Sequence, residues 1–271
     1  MKRINKLIIC LVFVLLCLLF PACKQADTNY SQKTTPDFKG VTSLLVDADN
    51  YDLTLKVSEK EVCYVEYEES TTHKIEVTEK DGKVTIKEIH KAWFNFLSYN
   101  PRPQITVYVC NKISADLELD NGKVTVENGL SFAHLKVDID NGMASINGAN
   151  VENQVKIDID NGAINCSNMQ TANYSANIDN GAIYVEKLVA NSIKCEVDNG
   201  SIELVCIEAS SLVDLSVDVG DIDANLKGEK ENYKTTVNVD IGKANIYPST
   251  SGSVILNLFV DVGDINVTFY N

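Results

Sequence analysis

Arginine is almost missing from this chain: its 271 residues include two, Arg3 and Arg102. A site that grips phosphate or carboxylate through guanidinium forks therefore has little to draw on. Histidine is nearly as scarce, with three residues, and no two cysteines stand in a C-x-x-C pair, so the usual ligand spacings of a zinc site are missing. Positive charge is short overall. The formal net charge is −14, and without the first 22 residues, which carry Lys2, Arg3 and Lys6, 21 cations face 38 anions, a net of −17. Such a surface repels a phosphate backbone, which argues against a nucleic-acid partner. No nucleophile motif, phosphate loop or histidine-centred constellation is present. These shortages leave no expected catalytic residue, metal or cofactor.

The apolar run at residues 7–20 is also too short, at fourteen residues, for the roughly 20 that a membrane-spanning helix needs. With the basic start "MKRINK" it reads as a signal peptide over residues 1–22. "FPAC" then places Ala22 directly before Cys23, which resembles a bacterial lipoprotein cleavage box, although Phe20 and Pro21 are atypical there. Lipidation of Cys23 is the expectation, with simple cleavage or a retained anchor as alternatives. The polar stretch at residues 23–36 reads as a tether between a membrane anchor and the folded domain. The localisation that follows is extracytoplasmic, at the cell envelope or surface.

What the chain has in abundance is one turn, repeated. Triplets begin at Asp120, Asp140, Asp160, Asp179, Asp198, Asp218, Asp240 and Asp261, each ending in a glycine: Gly122, Gly142, Gly162, Gly181, Gly200, Gly220, Gly242 and Gly263. A fixed period near 20 residues marks a repeat array. Apolar residues alternate on both sides of each triplet, the pattern of a strand with one buried face. Just before each Asp runs an apolar column from Leu119 to Val260, and two residues after each Gly runs a second from Val124 to Ile265. Asn-Gly on its own favours a type I′ hairpin. In three units, however, the middle residue is Val219, Ile241 or Val262, and a β-branched residue does not take positive φ. Type II corners, with positive φ at glycine alone, fit every unit and let the chain continue around a coil. The expected fold is all-β: a parallel β-solenoid of about eight coils of roughly 20 residues over residues 112–271, preceded by an irregular β segment or cap over 37–111. Within that segment, Asp81-Gly82 marks a hairpin. Cys166 and Cys195 fall on inward positions and read as small core hydrophobes.

This plan, with "ITVYVC" leading into "LELDNGKVTVENG" and closing on "FVDVGDINVTFYN", resembles a bacterial β-strand-repeat family of unknown function named for putative adhesins. The resemblance covers roughly residues 38–271 and implies an exported or membrane-associated solenoid without catalytic residues. One departure is Cys110, where the family commonly has proline.

Three features remain as site candidates. "HKAWFNFLSYNPRP" holds Trp93, Phe94, Phe96 and Tyr99, which would form either a binding loop for a glycan, lipid surface or protein or a lid over the core. The turn aspartates would stack about 4.8 Å apart, repelling by roughly 0.9 kcal/mol per pair in water, so they need capping hydrogen bonds or, less simply, bound calcium. Glu118, Asp138, Asp158 and Glu196 form a second acidic column that could in principle do acid–base work, but a periodic column is more often structural. The function read from all this is a non-catalytic binding or scaffolding module, held to the membrane by its N-terminal lipid and facing a cell-wall glycan or protein partner. The alternatives are a carbohydrate-active extracytoplasmic enzyme and an envelope regulatory protein acting through a partner.

Overall fold

A computed structural model describes residues 29–70, 73–90 and 102–271. The described chain is all-β apart from one 3-10 turn, and its strands join one sheet dominated by long parallel neighbours. Strand β8 (Ile113–Val126) lies parallel to β9 (Ser131–Asn147), with Asn121 opposite Asn141, Gly122 opposite Gly142 and Val124 opposite Ala144. β9 in turn meets the start of β10 (Asn150–Lys227) in the same register, Asn141 against Asn161 and Gly142 against Gly162. Like therefore stacks on like. The two apolar columns are buried nearly throughout and form one continuous core with the N-terminal segment.

The corners are not type II turns. At six of the eight the strand runs on through the corner, four of them within the 78-residue β10, whereas strands end just before Gly242 and Gly263. The corner glycines take φ between +139° and +156° wherever a positive value is found, far from the roughly +80° of a type II turn. Glycine is required for a second reason. A Cβ built on any of the eight would lie 1.6–1.9 Å from a backbone carbonyl oxygen of the adjoining layer. The corner is the place where neighbouring backbones come too close for any side chain.

Each middle layer also has a second corner, which carries no fixed residue type. Gly148 (φ 66°), Asn168 (53°), Lys187 (54°) and Cys206 (57°) each stand six residues after a corner glycine and adopt the left-handed conformation. Asparagine tolerates this; lysine and cysteine do so at a cost.

Layers do not follow chain order at the two ends. β11 (Tyr233–Ile241) does not pair with β10. Instead β12 (Val254–Val262) sits between them, parallel to both, and β13 (Ile265–Tyr270) continues along β10. The N-terminal segment behaves similarly. β2 (Ser43–Asn50) and β3 (Asp52–Val57) stack directly on β8, while β6 (Lys83–His90) and β7 (Gln104–Val109) lie outside them. The antiparallel pairs are confined to this region: β5 (His73–Lys80) with β6 through the Asp81-Gly82 hairpin, β4 (Tyr64–Glu69) with β7, and β1 (Ser31–Thr34) with β4.

The register of β2 reveals a further repeat. Asn50 pairs with Asn121, and the Cβ position of Gly122 points at the Tyr51 carbonyl oxygen, 1.9 Å away. "DNY" at residues 49–51 is thus a corner triplet with tyrosine in the glycine place, which conceals it from a search for Asp-Asn-Gly.

Candidate interaction face

The outer edge of the stacked corners is built from the first two residues of each triplet. Asn161 Nδ2 donates to Asn141 Oδ1 (3.3 Å), Asn180 to Asn161 (3.2 Å) and Asn199 to Asn180 (3.3 Å). These side-chain amides form a ladder parallel to the backbone ladder, and they explain why asparagine recurs where backbone geometry tolerates any residue. Beyond Asn199 the ladder gives way to apolar side chains. Val219 stacks on Val262 and Val262 on Ile241, and the three are 50%, 42% and 67% exposed. Three branched side chains in solvent on consecutive layers are more than the scattered exposed hydrophobe of an ordinary surface.

All eight turn aspartates are exposed. Among the described residues none from Asp140 to Asp261 caps a turn N–H or pairs with a cation, so the capping expected from the sequence is not their role. The caps come instead from the residue after the corner. Asp52 Oδ1 accepts from Lys123 N (3.0 Å), Asp221 Oδ1 from Asp264 N (2.8 Å) and Asp264 Oδ1 from Lys243 N (2.9 Å). Pleating sets this division: the residue before the corner asparagine points away from the coil, while the residue after the glycine leans along the stack. The turn column therefore keeps its like-charge repulsion. Partial desolvation, then the neighbouring Asp140 and Asp179, hold the Asp160 carboxyl above its ordinary value. Among the described residues no cluster of three or more His, Cys, Asp or Glu is arranged to hold a metal ion.

The second acidic column is differently placed. Asp138 pairs with Lys136 (3.3 Å) and Glu196 with Lys194 (2.7 Å), Asp158 pairs with Lys156, and Lys136 also reaches Asp116 at 3.7 Å. A lysine column two residues upstream neutralises much of it. The pairs are surface-exposed and contribute at most about 1 kcal/mol each. Three of the four carboxylates singled out in the sequence thus serve the strand face as ion pairs.

Sequence reasoning missed one buried polar cluster. His73 and Glu88 are almost fully enclosed, with His73 Nδ1 2.9 Å from Glu88 Oε1. Glu88 Oε2 accepts from the N–H groups of Asp49 (2.9 Å) and Asn50 (3.4 Å), the corner amides of the concealed repeat. Burial alone would raise the Glu88 carboxyl, but these bonds and the His73 contact outweigh it and hold it below the usual carboxylate range. Tyr51, whose hydroxyl donates to Glu68 O (3.2 Å), meets His73 edge-on, and burial followed by the Glu88 charge pushes its hydroxyl well up. In the other layers the corner amides face a neighbouring backbone. Here the carboxylate of Glu88 takes that place and ends the column. Residues 73 and 88 meet only through the β5–β6 register, and neither stands in a motif.

Cys23, Trp93, Phe94, Phe96 and Tyr99 lie outside the described residues. Cys166 and Cys195 are buried in the core.

No functionally curated protein matches the chain. Among solved structures, a putative adhesin from Bacteroides fragilis superposes with a TM-score of 0.52 at 15% identity, over 89% of this chain and 97% of that one. A putative adhesin from Parabacteroides distasonis gives 0.46 at 13% identity, over 89% and 97%, and a putative lipid binding protein from the same species 0.30 at 14%, over 90% and 98%. At these identities the first likeness speaks to fold alone. The profile of one family, Toastrack DUF4097, matches residues 41–269, which takes in the concealed repeat, both terminal rearrangements and every corner, and the chain belongs to that family.

Proposed function

We propose that this protein is an exported, lipid-anchored binding or scaffolding module of the cell envelope, non-catalytic, whose working surface is the corner edge of a stack of about eight coils, with residues 37–111 as its cap. The observation that carries the reading is the edge itself. From Asp140 onward, carboxylates that meet no cation among the described residues and a hydrogen-bonded amide ladder run along it, with the exposed Val219, Val262 and Ile241 at its far end. Side-chain amides and carboxylates at the strand repeat suit a long ligand rich in hydroxyl or amide groups, either a cell-wall glycan or an extended protein segment. The adhesin names of similarly folded proteins agree with such a role. Cys23 supplies the anchor, and the tether is shorter than the 23–36 expected from the sequence, because Ser31–Thr34 already belong to the sheet beside β4.

Two experiments test this. Metabolic labelling with a fatty acid should mark the native protein and not Cys23→Ala; an unlabelled native protein removes the anchor. The full chain in detergent should retain purified wall glycan or an envelope protein on a column, and Asn141→Ala with Asn161→Ala and Asn180→Ala should weaken retention while the melting temperature changes little. Equal retention by native and triple-substituted chains would move the working surface away from the corners.

A further inference from the structure

Two of the described cysteines, 47 positions apart in sequence, meet where the N-terminal segment joins the repeats. Cys63 closes the bridge between residues 38 and 63, giving its N–H to Phe38 O (3.0 Å) and accepting the Phe38 N–H (2.7 Å), just before β4 begins. Cys110 follows the last residue of the antiparallel neighbour β7. Released from the strand, its side chain turns back onto β4. The two Sγ atoms are 3.1 Å apart, and Cys63 Sγ also accepts the Cys110 N–H at 3.3 Å. The backbone amide of Cys110 thus holds the Cys63 sulfur at the base of the Cys110 side chain. The remaining gap to a disulfide is about 1 Å against a bond of about 2.05 Å. The pair is asymmetric. Cys63 is 3% exposed, and burial, then its contact with Cys110, push its thiol up to about 12, whereas Cys110 is partly open to solvent, with Asn111 Oδ1 3.1 Å from its sulfur. The other described cysteines have no such partner: Cys166 and Cys195 are sealed in the core and Cys206 stands on a second corner.

We propose that Cys63 and Cys110 form a disulfide that clamps β4 to the end of β7, with Cys110 as the entry thiol. The oxidant is a disulfide, either of a thiol–disulfide oxidoreductase or of oxidised glutathione. Cys110 loses its proton, and its thiolate attacks one sulfur of that disulfide, forming a mixed disulfide and expelling one thiolate. Cys63 then loses its proton and attacks Cys110 Sγ, which forms the Cys63–Cys110 bond and expels the second thiolate. The protein loses two protons and two electrons, and the oxidant becomes two thiols. The bond closes the stretch that holds β4, the β5–β6 hairpin and β7, and so fastens the outer N-terminal layer.

The test uses the folded full chain in detergent, exposed to oxidised glutathione, quenched with N-ethylmaleimide, digested and mapped by mass spectrometry. The expected product is a peptide pair linking Cys63 to Cys110, separated by a phosphine reductant, with Cys166 and Cys195 recovered as thiols once the chain is unfolded. Amide hydrogen exchange at residues 64–67 should slow by about tenfold or more on oxidation. Cys110→Ser should leave Cys63 a free thiol under the same oxidation, and this variant at a partly exposed site carries the test if Cys63→Ser fails to fold. Recovery of both residues as separate alkylated thiols, or of a lasting glutathione adduct on Cys110 beside a free Cys63, would overturn the proposal.

Discussion

Replacing Gly162 with alanine adds one carbon to the chain, and the corner geometry says how much that carbon costs. The new Cβ would lie 1.7 Å from Gly142 O and 2.8 Å from its carbonyl carbon, where real contacts stay above 3.0 Å. The two layers must therefore part locally by at least 1.3 Å. That carries hydrogen bonds of about 2.9 Å to about 4.2 Å, beyond bonding reach. Two or three corner bonds are lost at about 1 kcal/mol each, and buried amides left without partners add about 1–3 kcal/mol. Holding alanine at φ 152° adds about 1–3 kcal/mol. The sum is on the order of 4–9 kcal/mol, against a typical domain stability of about 5–15 kcal/mol. Because stacked layers are coupled to their neighbours, the damage should appear as a split rather than as uniform loosening. Hydrogen exchange read by mass spectrometry should show amides flanking Gly142 and Gly162 losing protection first, with a large fall in melting temperature. Asn161→Val is the control. It removes the amide contacts to Asn141 and Asn180, but it copies the residue already found at Val219 and Val262, so its cost should stay below about 1 kcal/mol. A Gly162→Ala protein as stable as Asn161→Val would refute the close-approach argument.

Lys187→Gly should stabilise the fold: relief of left-handed strain, about 1–2 kcal/mol, exceeds the roughly 0.5–1 kcal/mol of added chain entropy, so denaturant midpoints should rise by the equivalent of about 0.5–1 kcal/mol. Glu88→Gln should destabilise by about 2–4 kcal/mol, since its amide cannot accept from His73 and the corner N–H groups together. A carboxyl held low in the fold adds stability above its unfolded value near 4.5, lost as pH falls through the lower folded value, so the native–variant gap should narrow in acid urea melts. Asp160 has the opposite sign. Its raised carboxyl favours the fold most below about 3.8 and loses that contribution as pH rises, so Asp160→Asn should stabilise at neutral pH, with the gain vanishing in acid; a gain independent of pH would count against charge repulsion along the corner edge.

The parallel stacking and both apolar columns were legible because glycine and the alternating apolar residues recur at one period. The same uniformity hid the layer order. Val217, Val239 and Val260 offer equivalent inward faces, and nothing local tells β10 to choose β12 over β11. The second corner was unreadable for a related reason: Lys187 and Cys206 hold a conformation usually signalled by glycine or asparagine, imposed here by the layers above and below. Of the site, the corner aspartates and glycines could be named, but not the division of labour at the corner, since Asp52, Asp221 and Asp264 become caps through neighbours 21 to 71 residues away.

The reversed order of the last two layers has a consequence for how the chain is made. Residues 233–241 emerge before residues 254–262, whether from the ribosome or through an export channel, yet β12 is their ladder partner. Each middle layer can settle on its predecessor as it emerges, but β11 must wait for a strand that has still to follow. The C-terminal end is then completed in one step, when β12 arrives to join β10 and β11 together. A chain stopped at residue 253 forfeits two layers rather than one, and its raw edge would be β10, with the core face of Val213, Leu215 and Val217 laid open to any strand that comes by.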